Sequence, residues 1–137
     1  MFRTDMAVGM VVVLGASVTP SLRTVAKRWL LTILANGSAT SALHHMLGIR
    51  PRVVVVQVGP NNDEPLRFIR SAAGAGDRSV IIAAATHHTA ELERMALRAG
   101  ARFYVHGVSN KALAPFLEAA LEPRGRSERH ARDTSDA

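Results

Sequence analysis

The sequence predicts an α/β fold in which helices cover both faces of a five-stranded parallel sheet. Five short apolar runs rich in β-branched residues recur along the chain, and segments of helical length and period separate them. Runs that are apolar throughout are typical of parallel strands buried on both faces. The regular alternation of strand and helix therefore favours a three-layer, doubly wound arrangement.

The first strand-helix unit begins with an apolar run at residues 10–14. Thr19 and Pro20 then predict the start of a helix that continues to about residue 30. Thr19 is a suitable N-cap because its side-chain oxygen can accept a backbone N–H. Proline is favoured at the first helical position because its missing N–H would be unbonded there in any case.

The second unit contains a weaker strand and leads into the strongest one. Residues 31–35 form the weaker apolar run, and Ser38 or Thr40 can cap the helix that follows. That helix must end before Pro51 because proline disfavours a helical conformation in the residue before it. Residues 53–56 are four consecutive valines, which predict a strand at the centre of the sheet.

The third unit is a loop at residues 59–63 and a short helix at about residues 64–71. Residues 72–78 are rich in glycine, and we expect them to be mobile. The fourth strand is predicted at residues 79–85.

The last part of the chain completes the alternation. A helix is predicted at residues 86–98, with Gly100 as its C-terminal stop. The side chains expected on its buried side are Leu92, Met95 and Ala96. A fifth strand covers residues 102–108, and a final helix covers about residues 110–122. Pro115 must either kink this last helix or mark its true start.

The chain length of 137 residues fits one domain, which we place at residues 1–122. Residues 123–137 are predicted to be a disordered basic tail because they hold too little apolar material to fold. Four arginines and three acidic residues give this tail +1 of the total +6, so residues 1–122 carry +5. The fifteen residues after 122 are too few for an output domain, which we expect in a partner, in self-association or in a longer parent chain.

Composition excludes several classes of function. The absence of cysteine rules out disulfides, thiolate metal sites and a cysteine nucleophile, and it agrees with a cytoplasmic location. No apolar stretch approaches the ~20 residues that cross a bilayer, so no membrane partner is expected. The basic residues are dispersed and aromatic residues make up only 4%, so nucleic acid is not expected as a partner either.

Three local motifs lie at matching places on the predicted elements: Ala35-Asn36-Gly37 after the second strand, Arg50-Pro51 before the third, and Ala-Gly-Ala-Arg-Phe-Tyr at 99–104 leading into the fifth. In these motifs and their spacing, residues 10–122 resemble the receiver domains of bacterial two-component response regulators. The resemblance implies a flavodoxin-like topology with strand order 2-1-3-4-5. It also implies a role in signal transduction.

The positions that carry phosphorylation in receivers hold inert residues here. The resemblance places the phosphoacceptor aspartate on Gln57 and the magnesium-binding acidic pair on Gly15 and Ala16. It places the hydroxyl residue of the fourth strand on Ala84 and the lysine of the fifth on Gly107. Phosphoryl transfer to a side chain needs a carboxylate nucleophile, and magnesium needs carboxylate oxygens. We therefore predict a pseudo-receiver that takes no phosphate, needs no cofactor and is not an enzyme.

The receiver resemblance also assigns a position to Tyr104, which matches the family's switch aromatic. An equally good interpretation is a ring that packs at the edge of the sheet, because Ala84 offers no hydroxyl to couple with it.

Three histidines lie at the carboxyl edge of the sheet, on the neighbouring fourth and fifth predicted strands: His87, His88 and His106. Imidazoles can bind zinc or another borderline metal. Adjacent histidines usually point apart, however, and the sequence places no carboxylate with them. Solvent-facing loop histidines without a metal are therefore the expectation, and His44 and His45 are weaker candidates still.

A surface of mixed charge is predicted on the fourth helix, fifth strand and fifth helix. Its residues are Glu91, Arg94, Arg98, Arg102, Lys111 and Glu118. The corresponding face of receivers forms symmetric dimers, and mixed charge suits a self-complementary contact. Plain solvation explains the same residues equally well.

The function predicted from the sequence is a regulatory protein-interaction module whose partner is an unidentified signalling protein or a second copy of the chain. The alternative is a small-molecule or nucleotide sensor that uses the carboxyl-end crevice of the sheet, where Gly15 begins a turn of the kind that binds phosphate. That turn has one glycine where a dinucleotide motif needs three, so ordinary helix capping also explains it.

Overall fold

The computed structural model describes residues 9–35, 37–75 and 78–121, so the predicted tail lies outside the described residues. The five strands are β1 (Gly9–Val13), β2 (Thr32–Ala35), β3 (Val53–Val58), β4 (Val80–Ala85) and β5 (Phe103–Val105). They form one parallel sheet with the order β2-β1-β3-β4-β5, as predicted. The five helices are α1 (Pro20–Trp29), α2 (Ala39–Ile49), α3 (Glu64–Gly74), α4 (Ala90–Ala99) and α5 (Asn110–Leu121).

Two apolar cores flank the sheet because alternate strand residues point to opposite faces. In β1, Val11 and Val13 pack with the buried residues of α1 and α5, whereas Met10 and Val12 pack with those of α2, α3 and α4. Every residue of β1 and β3 is buried, which explains why both runs are almost entirely apolar. Trp29 Nε1 donates a 2.8 Å hydrogen bond to Asn110 Oδ1 and ties α1 to α5.

The helix starts follow the predicted capping residues. Thr19 Oγ1 accepts the backbone N–H of Leu22, as expected. Of the two candidates for the second helix, Ser38 is the cap, and it exchanges hydrogen bonds with Ser41 in a capping box. In the described part of the chain, no helix is long and apolar enough to cross a membrane.

Two helix boundaries differ from the predictions. Helix α3 continues to Gly74, so residues 72–74 of the segment expected to be mobile are helical, and Ala72 is buried. Helix α4 begins at Ala90 after Thr89, whose hydroxyl accepts the Leu92 N–H at 3.0 Å. Residues 86–88 therefore form a loop beyond β4, because the capping threonine closest to the amphipathic stripe sets the helix start.

Two further predictions about the last elements need correction, and one of the two alternatives for Pro115 is excluded. Met95 is 41% exposed, because Leu92, Ala96 and Ala99 supply the buried stripe of α4. Strand β5 ends at Val105, before the turn at Gly107 with a φ of 148°. Helix α5 runs from Asn110 through the exposed Pro115, so of the two alternatives Pro115 does not mark the start of the helix.

Candidate functional site

The carboxyl edge of the sheet gathers most of the residues that the sequence singled out. Gln57, near the end of β3, is paired in register with Ala84 on β4, and both are buried. Gly15 and Ala16 lie exposed in the loop after β1, and Gly107 follows β5. Helix N-termini and strand ends meet at this edge, which is where ligands bind in open α/β sheets.

Gln57 is the one polar side chain that is buried among the described residues, with 6% of its surface exposed. Its Nε2 donates a 3.2 Å hydrogen bond to the carbonyl oxygen of Ser17, in the loop between β1 and α1. Its Oε1 has no hydrogen-bond partner among the described residues. The amide thus connects β3 to the β1–α1 loop without a charge and leaves one acceptor available at the edge.

Asn62, which the sequence analysis did not single out, organises the same edge. Its Nδ2 donates to the carbonyl oxygen of Leu14, and its Oδ1 accepts the backbone N–H of Glu64 at 3.2 Å. A Cβ on Gly15 would lie 2.7 Å from Asn62 Nδ2, and Gly15 has a positive φ of 71°. A side chain at this position would adopt a strained backbone conformation and would displace the amide of Asn62, so glycine is favoured there.

Glu64, the first residue of α3, acts at a different place. One carboxylate oxygen of Glu64 accepts the backbone N–H of Ala39 at 3.0 Å, and the other lies 3.4 Å from Arg67. Glu64 therefore stabilises the N-terminus of α2 and not a cation beside Gln57.

A second cluster of polar side chains lies where β4 and β5 end. The rings of His88 and His106 stack with centroids 3.7 Å apart and an angle of 16° between their planes. His88 Nδ1 lies 3.0 Å from the hydroxyl of Tyr104, and His106 Nε2 lies 3.5 Å from Glu93 Oε1. The structure thus brings together two of the three predicted histidines, whereas His87 is exposed and lies outside this cluster.

The expectation that no carboxylate accompanies the histidines was wrong. Potential ligand atoms of His88, Glu93 and His106 all lie within 4.8 Å of one another. The sequence prediction missed Glu93 because it started the helix at residue 86. With the true start at Ala90, Glu93 lies at the end of the first turn and reaches His106, the residue that follows β5.

Tyr104 is 8% exposed, and its hydroxyl faces this cluster. Burial raises the pKa of Tyr104 above its ordinary value, and the negative charge of Glu93 raises it further, while a hydrogen bond with the backbone of Thr89 acts in the opposite direction. The phenol is therefore neutral at physiological pH and can serve His88 as a hydrogen-bond partner.

No protein-family model matches the chain, and no curated protein sequence matches it significantly. Solved structures do match. The CheY-like protein TadZ of Pseudomonas aeruginosa PAO1 aligns with a TM-score of 0.64 and 16% identity over 83% of this chain and 94% of its own. The receiver domain of NtrC4 from Aquifex aeolicus aligns with a TM-score of 0.65 and 18% identity over 82% of this chain and 94% of its own. An orphan response regulator of H. pylori aligns with a TM-score of 0.57 and 21% identity over 82% of this chain and 97% of its own.

The chain has the receiver fold. The strand order and the alternation of strands and helices agree with the topology that the sequence resemblance implied. At these levels of identity the match establishes the architecture, and the chemistry of the edge has to be argued from the side chains themselves.

The six residues predicted to form a docking face are all exposed on the receiver fold, and we call them the α4–β5–α5 surface: Glu91, Arg94, Arg98, Arg102, Lys111 and Glu118. The guanidinium of Arg102 lies 5.9 Å from the centroid of the Phe103 ring. Leu97 on α4 is 44% exposed and adds an apolar component near this surface. Exposed apolar area together with charged residues is a composition that protein interfaces share with ordinary surface, so the docking role stays a prediction.

Proposed function

We propose that this chain is a phosphorylation-independent receiver module, a pseudo-receiver, which regulates signal transduction in the cytoplasm through protein–protein contacts. The observation that carries the proposal is the buried amide of Gln57, hydrogen-bonded to Ser17 at the position where the resemblance puts the phosphoacceptor. An amide is neither ionised nor nucleophilic, so it cannot take the phosphoryl group from a donor.

The surroundings of Gln57 support the same proposal. Gly15 and Ala16 offer no side-chain oxygen for a hard dication, and Asn62 occupies the space that a side chain on Gly15 would need. Glu64 is engaged at the N-terminus of α2. Among the described residues, the positions that match the phosphorylation site of receivers hold neither a carboxylate nucleophile nor a carboxylate ligand for magnesium, so we assign regulation to binding.

Intact-mass measurement after incubation with acetyl phosphate and Mg²⁺ tests the absence of phosphorylation. We expect no phosphoryl adduct on the protein, and none on a Gln57→Asp variant, because the variant regains a carboxylate but not the magnesium ligands. A receiver domain with a complete acidic site serves as the positive control. An adduct on the unmodified protein would refute the proposal. An adduct on the variant alone would show that phosphorylation does not need acidic residues at positions 15 and 16, and that Gln57 alone prevents it.

The docking role is tested with the α4–β5–α5 surface. The protein and an Arg102→Glu variant are used as matched baits, with Lys27→Glu on the exposed surface of α1 as the control. We expect a signalling partner to bind the protein and the Lys27→Glu bait but to be lost from the Arg102→Glu bait. Equal capture by all three baits would contradict the assignment of this surface.

A second candidate function, a sensor of a small molecule in the carboxyl-end crevice, is favoured by the free acceptor Gln57 Oε1. A buried acceptor without a partner favours a ligand that donates a hydrogen bond, such as an amino or amide group. Thermal-shift assays with nucleotides and amino-bearing metabolites test it. A stabilising ligand whose effect disappears in Gln57→Leu supports this function, and a flat response to the panel excludes it.

A further inference from the structure

We propose that His88, Glu93 and His106 form a binding site for a divalent transition metal, of which Zn²⁺ is the natural probe. Two imidazoles and one carboxylate are ligands that zinc prefers, and the three come from the β4–α4 loop, helix α4 and the segment after β5. The site is independent of the pseudo-receiver function, because it uses neither Gln57 nor the loop after β1.

The distances place the three side chains close to a coordinating arrangement. Their ligand atoms lie within 4.8 Å of one another. Donors bound to one tetrahedral zinc at ~2.1 Å lie about 3.4 Å apart, so each must move by only an ångström or so. His106 Nε2 and Glu93 Oε1, at 3.5 Å, are already at this separation. The two stacked rings must tilt apart for their nitrogens to converge, which their exposure to solvent allows.

Tyr104 selects the ring nitrogen of His88 that is available to a metal. Its hydroxyl lies 3.0 Å from Nδ1, which leaves Nε2 facing away from this hydrogen bond. When Nδ1 carries the proton and donates it to the Tyr104 oxygen, the lone pair of Nε2 is free to bind a metal. Metal-binding histidines commonly use their second nitrogen in this way, so Tyr104 is a positioning residue.

The composition of the site determines its selectivity. Imidazole nitrogens favour borderline metals such as Zn²⁺, Co²⁺, Ni²⁺ and Cu²⁺, whereas Mg²⁺ and Ca²⁺ require mostly oxygen ligands. The side chains of His106 and Glu93 are 57% and 39% exposed. Three protein ligands at an open edge leave a fourth position for water or for a group from a partner.

Calorimetric titration of the metal-free protein with Zn²⁺ tests the proposal, and the absorption spectrum of bound Co²⁺ reports the coordination. We expect one Zn²⁺ per chain and no response to Mg²⁺. Substitutions His88→Ala, His106→Ala and Glu93→Gln should each weaken binding, the two histidine changes by at least about 100-fold. Residues that hydrogen-bond to a metal ligand without touching the metal typically lose ~10–100-fold in affinity when they are replaced. We expect a loss in this smaller range for Tyr104→Phe.

His87→Ala is the matched control, because His87 is an exposed histidine next to His88 but outside the cluster. His87→Ala and His44→Ala should bind Zn²⁺ within about twofold of the unmodified protein. Circular dichroism establishes that every variant is folded. Three results would overturn the proposal: no Zn²⁺ binding, equal loss in His87→Ala and His106→Ala, or undiminished binding after both His88 and His106 are replaced.

Discussion

The side-chain amide of Gln57 donates its Nε2–H to the carbonyl oxygen of Ser17 at 3.2 Å, while its Oε1 stays buried without a partner in the described structure. The first contact fixes the orientation of the amide, because a flipped amide would place two oxygens against each other. The unpartnered Oε1 is a buried polar atom whose lost contact with water is not replaced by a hydrogen bond. The chain thus keeps a polar residue where the sheet would otherwise be apolar.

The two halves of this amide give a prediction about stability. Replacing Gln57 with leucine removes the uncompensated acceptor together with the donor, and Ser17 is exposed enough to reach water. We expect Gln57→Leu to change the free energy of unfolding by no more than ~1 kcal/mol. Gln57→Asp should cost more, about 1–3 kcal/mol, because a carboxylate would face the Ser17 carbonyl. Urea unfolding measures both variants, and a more stable aspartate variant would contradict this account.

The strand order and most helix positions were predictable because their signals are local or follow from the family resemblance. The four valines at 53–56 indicate a central strand, and Thr19 with Pro20 marks a helix start that the structure reproduces. Pro115 shows the limit of local rules. It lies within α5 on an exposed part of the helix, where losing one backbone hydrogen bond is tolerated.

The polar cluster at the end of β5 was only half predictable, because its members are distant in sequence. His88 and His106 were candidates by their position at two neighbouring strand ends. Glu93 was missed because its contact with His106 depends on where α4 begins, and helix boundaries are the least certain part of a sequence prediction. The contact between Tyr104 and His88 depends on the side-chain conformations of both residues, and the sequence carries no signal for these conformations.

Self-association through the α4–β5–α5 surface is a further prediction. In a two-fold symmetric dimer one substitution acts twice, so Arg102→Glu should raise the dissociation constant of the dimer by at least about tenfold. Sedimentation velocity over a range of concentrations measures this constant. Arg23→Glu on α1 makes the same change of charge at an exposed position elsewhere and should have no effect. A monomer at all concentrations would remove homodimerisation from the proposal.

Replacing glycine with alanine should change the stability of the protein in opposite directions at Gly100 and Gly48. Gly100 caps α4 with a φ of 125°, and a Cβ there would lie 2.4 Å from the Cβ of Ala73. Gly100→Ala should therefore destabilise the protein by more than the ~1–2 kcal/mol of left-handed strain alone. Gly48 in α2 has open space around it, so Gly48→Ala should stabilise by about 0.4–1 kcal/mol. Changes of opposite sign in the free energy of unfolding, relative to the unmodified protein, would support this prediction. Equal changes in the two variants would refute it.

Tyr104 is the one tyrosine of the chain, so the absorbance of tyrosinate reports its ionisation directly. Burial first and Glu93 second raise its pKa in the folded protein, so the fold favours the neutral phenol. The resulting contribution to stability is fully present below the unfolded pKa of about 10 and is lost as pH rises through the folded value. Glu93→Gln removes the second cause and should lower the pKa of Tyr104, whereas His87→Ala should leave it unchanged. Both titrations are made with a chelator present, and a folded pKa at or below the unfolded value would show that the ring is not held in the buried position described.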